Sequence, residues 1–506
     1  MSERSKRALV AIAGSGRGRR RATQSGVAGI VLLAILVMGS LYGVLIAMNT
    51  ATAELQRRRE DATTAALQRA KEALIAYAIT YSDTHPNEVI GYLPCPDNGG
   101  PQPEGQPPVG ACGAARVSQL GRLPWKTLDI GPLRDSEGQC LWYAVSGTYK
   151  NNPKSNLMNW DTPGQFQVVG PDGVTSLAGT TSANRAVAVI FAPGAARGTQ
   201  IRNPDPLKPI CGGDYANAAG YLDAAAGVDN SVVSAVPEDV SRFIAPNATI
   251  PGGTLTDRVV FITADEIWTA AKKRADLQAR LRALTEKVAQ CLAQAANTNA
   301  ALGDLHLPWP ARLDISASAA PFYYEHDNFD DGPGPRRAGR FPYVMNSSAI
   351  GAGVADVFDL PCMSVMSPPY VPTAYLPTGT AARNWFENWK DQLLYVVADE
   401  FKPPPTPKTT TCGTTCLTVN GGLPQYAGMV LFGGQRGPGQ LRSTAAEKDA
   451  VANYLEAPND LNFSLRSADT SGPAGFNYQR LAGGTFPEIA YCIIPQAGMQ
   501  AVAECP

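Results

Sequence analysis

The sequence predicts an α+β protein in which a long N-terminal helix precedes two tandem, mainly antiparallel β-sheet heads, each packed on a helix. Three observations predict it. Residues 51–83 contain no glycine or proline, and Leu67, Ala70, Leu74, Tyr77 or Ala78, and Tyr81 recur at helical spacing. Leu277, Leu281, Leu284, Val288 and Leu292 recur in the same way within residues 265–300. Each stretch is followed by short β-branched and aromatic runs between proline- and glycine-rich turns, as a helix-covered sheet requires. The chain has 506 residues, enough for two or three domains. A net charge of −1 gives no basic field to gather nucleic acid. Charged residues are 17%, below the roughly 25% of ordinary soluble chains. With 44% hydrophobic residues, 49 glycines and 41 prolines, the composition excludes a coiled coil, a collagen, a multi-span membrane protein and a wholly disordered chain.

The first element is a basic leader, residues 1–26, with Arg4, Lys6, Arg7, Arg17, Arg19, Arg20 and Arg21 against Glu3. Gly26 to Met48 carry no charge. As a helix rising 1.5 Å per residue this run would be about 34 Å long, enough to cross a bilayer. The preceding basic cluster predicts a cytoplasmic N-terminus and an exported remainder. A cleaved secretory signal fits less well, because the run exceeds a usual signal core and no small-x-small site precedes a polar start. Gly39 and Gly43 form a GxxxG pair that Ala47 extends, a face on which helices can approach closely. The helix is expected to continue as an amphipathic segment to Pro86, so the first structural unit covers 27–86. Its second half cannot bury its apolar face alone and needs a sheet.

The remainder divides into a first head over 87–264, a second helix over 265–300 and a second head over 301–506. Four landmarks recur in order. Leu123-Pro124-Trp125 with Leu128-Asp129-Ile130 matches Leu307-Pro308-Trp309 with Leu313-Asp314-Ile315. Residues 141–150 match 393–402, residues 189–202 match 430–442, and Tyr221-Leu222-Asp223 matches Tyr454-Leu455-Glu456. The shared order predicts a duplicated head. Strands are expected at 140–147, 186–192, 257–263, 393–398 and 427–432, and loops at 319–341 and 402–422.

The basic leader ending in Gly26, the apolar run, the amphipathic continuation, and the phrases GYLPCPDNGG (91–100) and GRLPWKTLDIGPLRDSEGQCLWYAVSGTYK (121–150) together resemble the type IV pilin and type II secretion pseudopilin superfamily. The resemblance covers roughly residues 16–150. It implies cleavage by a prepilin peptidase between Gly26 and Val27. It also implies partners among other pilin-like or pseudopilin subunits, reached through the helix. Most members of that family begin with Phe and carry Glu at the fifth mature position, whereas here these positions are Val27 and Val31. A buried carboxylate in a membrane needs a partner. Its absence is similar to minor, K-type-like or tip subunits with no subunit above them.

The ten cysteines all follow the apolar run, so an oxidising periplasm makes disulfides the default. Sequence does not fix connectivity. The pairs expected here are Cys95–Cys112, Cys140–Cys211, Cys412–Cys416 and Cys492–Cys505. No Cys-x-x-Cys pair suggests zinc or redox chemistry, and three histidines give no catalytic phrase. Glu325, Asp327, Asp330 and Asp331 read as a solvated loop rather than a calcium site, and Pro96–Gly100 as an Asx turn. The glycine-rich stretch 433–439 contains Pro438 and is not a phosphate loop. No metal, cofactor, nucleic acid or enzyme activity is expected. The expected function is a non-enzymatic minor subunit that initiates or caps a pilus-like or secretion filament. Its place is a single-pass one in the bacterial inner membrane, with a periplasmic head at a pilus tip or the cell surface. The alternative is a static single-pass protein with a periplasmic scaffold or a ligand-binding, for instance glycan-binding, head. Trp125, Trp142, Trp309, Trp385 and Trp389 could stack on sugars, although core packing explains most of them better.

Overall fold

The computed structural model describes residues 25–85, 88–155, 158–246, 255–300, 306–307, 310, 313, 337–341, 385–386, 388–402, 411–467, 477–480, 488–496 and 499–506. The chain is mixed α+β and forms two compact units, Met1–Asp61 and Ala62–Pro506. The described part of the first unit belongs to helix α1, Ser25–Thr84. Ile30–Met38 of this helix expose apolar side chains, Ile30 at 69% and Leu36 at 61%. Side chains at 25–29, 41, 43–47, 49, 51 and 52 lie outside the described residues. Among the described residues no helix is long and apolar enough to cross a membrane.

The second unit holds two mainly antiparallel sheets. In the first, β1 (Gln119–Arg122) pairs β2 (Trp142–Val145). Strands β3 (Phe166–Val169) and β4 (Ser176–Ala178) form an antiparallel pair at one side. The seven-residue β5 (Ala186–Ala192) lies between β2 and β9. The small hairpin β6 (Ala224–Ala225) and β7 (Val228–Asp229) precedes β8 (Ser241–Ile244), which runs parallel to β3, and then β9 (Arg258–Thr263). Helices α2 (Ala264–Lys272) and α3 (Ala275–Ala300) follow. The second sheet runs β10 (Ala338–Arg340), β11 (Leu393–Val397), β13 (Gly428–Phe432), β15 (Ile489–Gln496) and β16 (Met499–Glu504). Strand β12 (Thr418–Val419) pairs β14 (Asn477–Tyr478) outside it. Short helices α4 (Ala445–Lys448) and α5 (Asn459–Ser467) lie between β13 and β14 in the chain.

Side-chain alternation puts each strand's neighbours on opposite faces. Tyr143, Val145, Val187 and Ile190 face one core together with Leu67, Ala70, Leu74, Ala78 and Tyr81 of α1. Trp142, Ala144, Val189 and Phe191 face another with Phe166 and Phe243. The face of α3 that carries Leu277, Leu281, Leu284, Val288 and Leu292 is buried against the second sheet. The first of these cores is continuous through both sheets, so the two expected heads share one interior. All five expected strands are present, with ends shifted by up to two residues.

Four details differ from expectation. The helix expected over 265–300 is two helices, because the N–H groups of Lys273 and Arg274 bond the carbonyls of Ala270 and Ala271 and close α2 with a tight turn. Arg274 then reaches Asp83 at 2.8 and 2.9 Å and Asp276 at 3.0 Å, tying α1 to α3. Within the loop expected at 319–341, Ala338–Arg340 is strand, because Gly339 sits opposite Tyr395 as Gly121 sits opposite Tyr143. Within the loop expected at 402–422, Thr418–Val419 pairs in parallel with Asn477–Tyr478.

The repeat is also registered differently. The Leu307 N–H bonds the Phe401 carbonyl at 2.7 Å, as the Leu93 N–H bonds that of Tyr149 at 2.8 Å. Leu307-Pro308-Trp309-Pro310 is thus the counterpart of Leu93-Pro94-Cys95-Pro96, and Gly121-Arg122-Leu123-Pro124 has Gly339-Arg340-Phe341-Pro342 as its own.

Candidate functional site

Each sheet carries the same polar core. In the first, Arg122 at the end of β1 and Arg202 after β5 lie over the Tyr221 ring, at 4.0 and 4.9 Å. In the second, Arg340 and Arg442 lie over Tyr454, at 5.1 and 4.8 Å. A guanidinium on an aromatic face is attracted by the ring quadrupole, more so where water is excluded. Arg202 Nη1 donates to the Gly194 carbonyl and Arg442 Nη2 to that of Gly434, both at 2.8 Å.

A buried acid–amide pair accompanies each stack. The Asp257 carboxyl, just before β9, accepts from the Asp223 N–H (2.8 Å) and Asn230 Nδ2 (3.0 Å). The Glu488 carboxyl, just before β15, accepts from the Glu456 N–H (3.1 Å) and Asn459 Nδ2 (2.9 Å). Asn230 also bonds both backbone groups of Ile244, and Asn459 bonds the N–H and C=O of Gln479. Burial, and then the neighbouring acids Asp223 and Glu456, push both carboxyls up to about 8.

The sheets meet along a polar seam. Arg442 pairs with Asp161 at 3.4 Å, both side chains being almost fully buried. Burial pushes the Asp161 carboxyl up, and Arg442, Lys448 and Arg436 oppose this. Asn388 accepts from the Met158 N–H at 2.6 Å, and its carbonyl accepts from Asn159 Nδ2 at 2.5 Å. Arg436 reaches the carbonyls of Trp160 (3.2 Å) and Ala183 (2.7 Å) and the Asp265 carboxylate (3.0 Å). Trp160 meets Trp389 edge to face at 4.5 Å.

A cleft of about 410 Å³ opens at this seam, with Trp160 from the first half, Lys272 and Lys273 from the end of α2, and Phe432, Gln435 and Ile489 from the second sheet. Its volume falls within the range of small-molecule sites. Burial pushes the Lys272 ammonium down to about 8, against the pull of Asp265. The cleft combines apolar walls with two cations and the Gln435 amide.

The residues singled out in the sequence are placed as follows. Gly26 and Val27 lie in the first turn of α1. A Cβ added at Gly39 would meet no atom within 4 Å, while Gly43 and Ala47 fall among positions whose side chains are outside the described residues. Disulfides join Cys95–Cys112, Cys140–Cys211, Cys412–Cys416 and Cys492–Cys505, the four pairs expected, and Cys291 is also disulfide-bonded. Cys362, Trp309, His326 and the acidic residues Glu325, Asp327, Asp330 and Asp331 lie outside the described residues. The Asp97 carboxylate accepts from the N–H groups of Gly99 (2.9 Å) and Gly105 (2.7 Å), which makes the Asx turn. Trp142, Trp385 and Trp389 are core residues.

The Arg–Tyr–Arg stacks, the acid–amide pairs and the cleft are not identified by the sequence reading. The matched Arg202 and Arg442, and Tyr221 and Tyr454, lie within two of the repeat landmarks and are the available signal for the stacks. No family model matches the chain, and neither does any curated protein or solved structure.

Proposed function

We infer that this chain is a non-enzymatic minor pilin- or pseudopilin-like subunit that initiates or caps a filament, with its disulfide-bonded part outside the inner membrane. The observation that carries the reading is the division of α1. Residues 62–84 bury one face in the sheet core, whereas Ile30–Met38 present apolar side chains all round. A helix apolar on every side requires an apolar environment, here a bilayer or a bundle of like helices. The uncharged run Gly26–Met48 and the basic leader before it supply the rest of the pattern. Val31 in place of a membrane-buried Glu suits a subunit with none above it.

Immunogold labelling of filaments from cells that express the protein tests this. The proposed role places label at filament ends. Label spaced along whole filaments would exclude it. The second reading is a static single-pass anchor with a scaffold or ligand-binding domain, including one for glycans. It is favoured by the same departures at Val27 and Val31, which also weaken the match to the peptidase site.

A further inference from the structure

We propose that the free edge of β9 receives an extended strand from a second protein, a segment of small and β-branched residues that extends the first sheet as β16 extends the second. This does not depend on the filament reading. The hydrogen-bond phase of the sheet shows which backbone groups form the edge. The Ser146 N–H bonds the Val187 carbonyl at 2.9 Å. Val187, Val189 and Phe191 therefore turn their backbone groups to β2, and Ile190 and Ala192 turn theirs to β9. Their partners Val260 and Arg258 face β5, so Val259 and Phe261 face outward. The Phe261 carbonyl is held by Lys71 Nζ at 2.9 Å. The Val259 N–H and C=O and the Phe261 N–H have no hydrogen-bond partner among the described residues. Both residues are partly exposed. An edge with free donors and acceptors is a template for another strand.

The duplicate sheet shows what fits there. Asp257 and Glu488 hold the matching acid–amide pairs just before β9 and β15. Val259 thus corresponds to Ala490, and Phe261 to Cys492. In the second sheet these two positions are covered by β16: the Cys505 N–H bonds the Ala490 carbonyl at 3.0 Å, and Ala503 pairs with Cys492. Strand β9 runs directly into α2, so the first copy has no such hairpin of its own.

The surroundings specify the occupant. Val260 packs on the core shared with α1, whereas Val259 and Phe261 pack on the other. Both faces of the incoming strand therefore continue apolar layers, and β-branched residues beside Phe261 make favourable cross-strand pairs. The open stretch is short, because the N–H groups of Asp257 and Thr263 are taken by Asp223 and Glu266. Two β9 edges laid antiparallel would bring each Val259 N–H to a Phe261 carbonyl that Lys71 already holds, which favours a different chain over a second copy.

Fluorescence anisotropy with a labelled octapeptide copying residues 499–506, serine replacing Cys505, tests the proposal on the detergent-solubilised full chain. Saturable binding is expected. N-methylation of the peptide at positions 503 and 505, whose amides face the edge, should weaken binding at least about tenfold, the scale of one or two hydrogen bonds. N-methylation at 502 and 504, whose amides face away, should weaken it less than about threefold. Val259→Pro removes a donor that points away from β5, a place where edge strands tolerate proline, and should also weaken binding at least about tenfold. If that variant fails to fold, the N-methylated pair carries the test with the protein unaltered. Amide hydrogen exchange at Val259 and Phe261 should be faster than at Ala490 and Cys492, and should slow when the peptide is added. No saturable binding, equal weakening by the two N-methylated peptides, or unchanged binding by folded Val259→Pro would each overturn the proposal. So would protection of Val259 and Phe261 without peptide: at every protein concentration it would mean that the chain covers its own edge, and with rising concentration that a second copy does.

Discussion

Replacing Asn459 by alanine tests the duplicated polar core. Its amide makes three contacts: Nδ2 to the Gln479 carbonyl at 2.8 Å, Nδ2 to Glu488 at 2.9 Å, and Oδ1 from the Gln479 N–H at 2.8 Å. Asn459 is fully buried, so no water replaces the lost amide without a cavity rearranging. A net hydrogen bond contributes about 0.5–1.5 kcal/mol, and an orphaned buried group costs about 1–3 kcal/mol. The expected loss is therefore about 2–4 kcal/mol. Asn230→Ala removes the equivalent contacts to Ile244 and Asp257, at 3.0, 2.8 and 3.0 Å, and should lose a similar amount. Because one hydrophobic core runs through both sheets, each variant should shift a single transition rather than split it. Urea unfolding of the detergent-solubilised chain, followed by tryptophan fluorescence with disulfides intact, reads both effects. Losses below about 0.5 kcal/mol in both variants, the scale of an ordinary surface change, would refute the assignment of these amides as the joints of the fold.

Asp257 and Glu488, both raised to about 8 in the folded protein, bind protons more tightly than the unfolded chain does. Their contribution is full below the unfolded carboxylate range near pH 4 and is lost as pH rises to about 8, so the urea midpoint should fall between about pH 5 and 8.5. The double variant Asp257→Asn, Glu488→Gln should flatten that slope, and an unchanged slope would contradict it. Asp161→Leu leaves Arg442 buried without its carboxylate and should cost about 3–5 kcal/mol, while adding Arg442→Met should recover most of the loss. Equal destabilisation of single and double variants would mean that the pair is not the linkage. Replacing Cys140 and Cys211 by serine opens a bridge across 71 residues, whereas Cys412–Cys416 spans 4. Loop-closure entropy makes the first loss larger by about 2.5 kcal/mol, and comparable losses would count against that entropic origin.

Legible in the sequence is whatever rests on short-range pattern. The apolar faces of α1 and α3 follow from residues three and four apart, and Leu74 and Leu284 are fully buried as a packed face requires. Strands such as Ala186–Ala192 are marked by β-branched runs between turns. The registration of the repeat is misleading at Leu123-Pro124-Trp125 because three shared letters outweigh the looser match of Leu93-Pro94-Cys95-Pro96 to Leu307-Pro308-Trp309-Pro310. Backbone hydrogen bonds, which single-letter identity does not carry, settle it. The break in the second helix has no local signal because Lys273 and Arg274 are good helix formers, and the tertiary contacts of Arg274 to Asp83 override that preference. The acid–amide pairs join residues such as Asn230 and Asp257 that lie 27 positions apart. The cleft draws on four separate segments, so neither has a local signature.

In the proposed role, helix α1 enters a filament after its leader is removed. Sequencing the N-terminus of the membrane-bound protein, with and without prepilin peptidase, tests this most directly. The expected result is a start at Val27 that depends on the peptidase. An intact Met1 or Ser2 in both cases would contradict it and leave a fixed anchor in its place.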